Sequence, residues 1–121
     1  MPLYHGANTG KFTAHIGLCL VRDQDIARSY TRGDGVVYEV ALDLGPLEVV
    51  EVDVSRENID NNDWPGDTAE GCAAFAASGA DVIRYTDMTE SGTTHTTYRL
   101  VSERAVAAVS GAAALVDADE E

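Results

Sequence analysis

The sequence predicts a compact α+β domain, with mostly antiparallel sheets and two short helices. Three observations carry that prediction. In residues 36–44, VVYEVALDL, the apolar set Val36, Tyr38, Val40, Leu42 and Leu44 alternates with Val37, Glu39, Ala41 and Asp43, the period of a strand with one fully apolar face. Residues 67–79, DTAEGCAAFAASG, carry the start and stop signals of a helix. The 121 residues then run as short strand, helix, strands, helix and strands, without internal repeat or linker. That is enough chain for one domain and too little for two.

Taken in order, LYHG opens the chain with a short strand. DQDIARSY follows as a helix, with Asp23 as N-cap and Ile26, Ala27 and Tyr30 on one side, and RGDG ends it. After the strand at 36–44, Gly45–Pro46 makes a turn into a second strand at 47–54, whose alternation slips at Val49–Val50 and calls for a bulge. In the second helix Asp67 and Glu70 have capping-box spacing. Ala69, Cys72, Ala73 and Ala76 make a stripe of small residues suited to close packing, and Gly79 stops the helix. DVIRY (81–85) and TTYRLV (96–101) are strands flanking a polar loop, TDMTESGTTH. RAVAAV is a last strand or a short helical turn, and residues 113–121 form an acidic tail.

Composition narrows the function classes. A hydrophobic fraction of 45% is that of a folded chain. No apolar run nears the roughly 18 residues of a membrane span, and MPLYHG lacks the features of a secretory signal. Cys19 and Cys72 have no metal-site spacing, so reduced thiols in a cytoplasmic protein are expected. The formal net charge of −13, from 21 acids against 8 bases, disfavours direct nucleic-acid binding. It suits a basic protein partner or serves solubility alone.

Read together, LYHG, GLCLVRDQDIARSY, the long strand and the acidic loop leading into TTYRLV resemble the ADP-ribosyltransferase fold. The closer likeness is to the His-Tyr-Glu branch, which includes diphtheria toxin and the poly(ADP-ribose) polymerases, and within it to small phage or mobile-element members. The likeness lies in motif order and spacing across residues 3–106, with little identity between motifs.

The resemblance implies NAD as substrate and no metal. It puts His5 on the adenosine-side ribose and the Gly6 backbone on the nicotinamide carboxamide, where a missing β-carbon allows close approach. Tyr30 would stack on the nicotinamide ring, and it is equally placed to pack beside Ile26 and Ala27. The family's strand tyrosine falls on Cys19, eleven positions before Tyr30, and a thiol offers no stacking platform. The family's late glutamate falls near Thr97, which cannot stabilise the positive charge that builds on the ribose as the glycosidic bond breaks. The nearby acids are Asp87, placed first, and Glu90, placed second. His95 is a further candidate, to orient a phosphate or the acid or simply to pair across strands.

Two functions follow. One is a mono-ADP-ribosyltransferase acting on a macromolecule, such as an anti-CRISPR effector or a toxin. The other is an inactive relative whose acidic face blocks a basic partner.

Overall fold

The computed structural model describes residues 3–7, 12–29, 31, 35–53, 68–88 and 94–114. Its strands are β1 (Leu3–Ala7), β2 (Cys19–Val21), β3 (Val36–Leu42), β4 (Val49–Glu51), β5 (Val82–Met88), β6 (Thr94–Leu100) and β7 (Val109–Ala114). Its helices are α1 (Gln24–Ser29), α2 (Ala69–Ala77) and α3 (Glu103–Ala108). The strands form one seven-stranded sheet in the order β4-β5-β6-β2-β1-β3-β7. Every pairing is antiparallel except β4 with β5. The chain is therefore a small mixed α+β domain. Among the described residues no helix is long and apolar enough to cross a membrane.

Burial explains which strands formed. Leu3, Leu20, Tyr38, Val40, Val82, Tyr98 and Leu100 join Leu18 and Ala105 in one apolar cluster, the main core. The other face is covered in two patches. Val21 and Val37 pack with Ala27 of α1, whereas Ile83 and Tyr85 pack with Cys72 of α2. Fully burying one such side chain is worth about 1.5–3 kcal/mol, so the two helices on this face are held mainly by apolar contact.

Several expectations need correction. Among the described residues there are three helices, because the Ser102 side chain caps RAVAAV by accepting from the Ala105 N–H, and the helix ends before β7 begins. Ala113 and Ala114, read as tail, are the last residues of β7. The slip at Val49–Val50 needs no bulge. Val49 packs on the main core and Val50 on the opposite cluster, so β4 is covered on both faces and consecutive valines suit it. The register shift lies instead in β3, between Ala41 and Leu42. Asp67 lies outside the described residues, and Thr68 is the N-cap of α2, accepting from the Gly71 N–H at 2.9 Å. In that helix the buried residues are Gly71 and Cys72, while Ala69 and Ala73 of the small-residue stripe are exposed. Gly79 stops the helix as expected, at φ 105°. The described residues of the loop expected at 86–95 are strand, since Thr86, Asp87 and Met88 pair with Thr96, His95 and Thr94; residues 89–93 lie outside the described residues.

One buried acid ties three elements together. Asp81 is 7% exposed, accepts from the Glu48 N–H at 2.9 Å and from the Ser102 hydroxyl at 2.7 Å, and has Arg104 at 3.7 Å. The Glu48 amide and the Ser102 hydroxyl hold its carboxyl below the usual carboxylate range. Its stabilising effect is therefore full above about pH 4 and is lost as pH falls through its folded pKa. Asp81→Asn leaves a donor unsatisfied and should cost about 1–3 kcal/mol in urea denaturation at pH 7. The difference from wild type should shrink as the pH drops below 4.

Candidate functional site

The site begins where the sheet's pairing gives out. β1 and β2 share one paired position, Tyr4 with Val21. Past it the link is a side chain: His5 Nδ1 donates to the Cys19 carbonyl at 2.9 Å. A carbonyl only accepts, so Nδ1 carries the proton and a neutral ring presents Nε2 as a lone-pair acceptor. Burial pushes the His5 pKa below its usual value, against the opposing pull of the Cys19 carbonyl. The ring is braced edge-on by Phe12, at 5.9 Å and 75°.

A cleft of about 220 Å³ opens at this break. His5, Gly6 and Cys19 line it from the N-terminal part of the chain, and Asp87, Thr97 and Arg99 from β5 and β6. Strand register explains the convergence. Cys19 pairs with Arg99, Val21 with Thr97, and Thr97 with Tyr85, two residues before Asp87. Paired residues face the same side, so Cys19, Thr97, Arg99 and Asp87 rise from one face of the sheet, whereas His5, paired with Tyr38 of the main core, reaches the cleft from the other face through the break.

Gly6 has a reason to be glycine that differs from the sequence reading. A β-carbon there would lie 2.0 Å from the Ala27 carbonyl oxygen of α1. The close approach is thus made first by the helix backbone, which lets α1 sit flat against β1. Gly6 still lines the cleft.

Cys19 is the polar node of the wall. Its thiol donates to the Gly17 carbonyl at 3.6 Å, accepts from Arg99 Nε at 3.1 Å, and lies 3.9 Å from the Tyr85 hydroxyl. Arg99 also lies 5.7 Å from the centroid of the Tyr85 ring. Burial, with the nearby thiol second, pushes the Tyr85 phenol far up, so it stays protonated. Where an aromatic residue was expected, a small thiol instead holds an arginine stacked on an aromatic ring from the neighbouring strand.

Of the residues expected from sequence, His5, Gly6, Cys19 and Asp87 meet in one cleft. Asp87 stands within β5, opposite His95, and is not in a loop. His95 pairs with Asp87 across strands without lining the cleft. Tyr30 and Glu90 lie outside the described residues. Thr97 and Arg99 were missed as lining residues. Their spacing of two in TTYRL, on the same face as His95, was the available signal.

Thr97 is unusual in its environment. It is 1% exposed, and its hydroxyl has no hydrogen-bond partner among the described residues. An orphaned buried hydroxyl costs about 1–3 kcal/mol, comparable to what one core leucine contributes. A second cleft of about 490 Å³, between His15–Gly17 and the start of α2, shares Arg99 with the first. Among the described residues no group of three or more His, Cys, Asp or Glu side chains is placed to hold a metal ion. Comparison with known proteins finds no matching family model, curated protein or solved structure.

The His5 geometry sets a pH signature. Below about pH 6.5 the unfolded chain takes up a proton at this position that the buried ring resists. Stability should therefore be full above pH 6.5 and fall as the pH drops toward the lowered folded pKa. His5→Asn keeps a donor for the Cys19 carbonyl but cannot titrate. Thermal melts from pH 8 to 5 should show a shallower decline for the variant.

Proposed function

We propose that the chain is a mono-ADP-ribosyltransferase that takes ADP-ribose from NAD and transfers it to a protein. The observation that carries this reading is the convergence of His5, Gly6 and Asp87, from distant parts of the sequence, on the cleft at the β1–β2 break. These are residues for which the family resemblance implied NAD contacts.

In this reading the His5 Nε2 lone pair accepts from a hydroxyl of the adenosine-side ribose, and the Gly6 backbone meets the nicotinamide carboxamide. The C1′–N glycosidic bond breaks heterolytically, and its electron pair leaves with nicotinamide. Asp87 stabilises the positive charge that develops on the ribose. A nucleophilic side chain of the target then bonds to C1′ and gives up its proton. The cleft, at about 220 Å³, is smaller than a typical ligand site. A dinucleotide would extend past Arg99 toward the adjoining cleft, and the Arg99 guanidinium is suited to the pyrophosphate between the two halves. The net charge of −13 favours a basic protein as acceptor. A phage-borne effector or a toxin fits this chemistry, whereas an inactive relative that blocks a basic partner would use the acidic surface without the transfer.

A transfer assay on basic host proteins with labelled NAD separates these readings. Asp87→Ala should lower turnover about 10²–10³-fold, equivalent to about 2.7–4 kcal/mol, with NAD affinity nearly unchanged. Loss with Glu90→Ala alone moves the acid three residues on. Full activity in the double variant contradicts the catalytic assignment, and NAD binding without turnover by the wild-type chain identifies the capturing relative.

A further inference from the structure

The two edges of the sheet are built differently. β4, at one end, has three residues, and its Glu51 is paired with Arg84. Short length and charge are ordinary defences of an edge against an added strand. β7, at the other end, has six residues, Val109–Ala114, with neither a charge nor a proline among them. Ser110 through Ala114 are exposed. One side of β7 pairs with β3, and among the described residues no strand pairs with its outer side. A row of backbone N–H and C=O groups along such a side is a template for a further strand. The small side chains of Gly111, Ala112, Ala113 and Ala114 leave the approach to it open.

Charge selects the occupant. Glu39, paired with Ala113, is exposed, and so is Asp43 just past the end of β3. Beyond β7 the sequence runs into Asp117, Asp119, Glu120 and Glu121, with no base after Arg104. A second copy of this chain would bring a further charge of −13 to the same edge, and like charge opposes that pairing. A basic segment is drawn to it instead. In an antiparallel addition, the pattern β7 already has with β3, the residues before the added strand run alongside those that follow Ala114.

We infer that the outer side of β7 docks an extended segment of a basic protein, added antiparallel to Val109–Ala114 with its lysines or arginines on the N-terminal flank. The docking goes beyond the transfer reading and is the same for a target that is modified or one that is only captured. β7 stands two strands from β1, about 10 Å at the spacing of a sheet, so a docked target lies beside the opening between β1 and β2.

The probe is a synthetic peptide of three lysines followed by alternating threonine and valine. In calorimetry it should bind the wild-type chain, more weakly as salt is raised, and glutamates in place of the lysines should abolish binding. Amide hydrogen exchange should slow along residues 110–114 when the peptide is added. Successive N–H groups of a strand point to opposite sides, so of Ala112 and Ala113 one faces β3 and the other faces out. Of Ala112→Pro and Ala113→Pro, the variant that keeps the wild-type melting temperature has lost the outward N–H, and it should bind the peptide about tenfold more weakly. If neither variant folds, exchange on the wild-type chain carries the test.

No binding up to about 1 mM peptide overturns the inference, and so does binding that leaves exchange along β7 unchanged. Equal binding of the glutamate peptide overturns the basic partner. A mass that doubles with concentration and falls back in the proline variant assigns the edge to a second copy instead. Full protection of β7 without peptide assigns it to this chain's own residues.

Discussion

The site depends on one exchange of hydrogen bonds. Between β1 and β2 the backbone ladder is reduced to Tyr4–Val21, and the His5 side chain takes up the Cys19 carbonyl beyond it. An imidazole reaches farther than a backbone amide, so the strands can separate while the carbonyl remains bonded. The separation opens the sheet near its middle and fixes the tautomer of His5. It also leaves Cys19 partly exposed in the wall of the gap. Because β2 pairs with β6 on its other side, Thr97 and Arg99 are carried into the same opening.

Packing keeps the opening in place. α1 is held down by the absence of a side chain at Gly6, and α2 covers the sheet farther along the same face. The cleft lies where Ala27 of α1 meets the polar side chains of β5 and β6. The Cys19 thiol, too small to fill that space, leaves room for Arg99 to lie over Tyr85. On a chain of net charge −13, an arginine fixed in this way is a local exception that an anionic ligand would find.

Parts of this were legible in the sequence, for identifiable reasons. The strand at 36–42 has one fully apolar face, and Asp23 caps α1 by accepting from the Asp25 N–H at 2.8 Å, as its residue type suggests. The placement of Asp87 was hidden because TDMTE reads as a turn-rich polar run. Pairing with the threonine-rich start of β6 extends β5 through Met88, an effect of tertiary contact that overrides local propensity. Thr97 was set aside because it cannot replace a carboxylate, and only burial showed that its hydroxyl lacks a partner among the described residues. The role of Gly6 against the Ala27 carbonyl depends on a contact between segments that no local pattern encodes.

The most direct test of the account is the crystal structure of this chain grown or soaked with NAD. The dinucleotide should lie in the opening between β1 and β2, with a ribose hydroxyl within hydrogen-bond distance of His5 Nε2 and the pyrophosphate against Arg99. A dinucleotide bound elsewhere on the sheet, with this opening empty, would contradict the account.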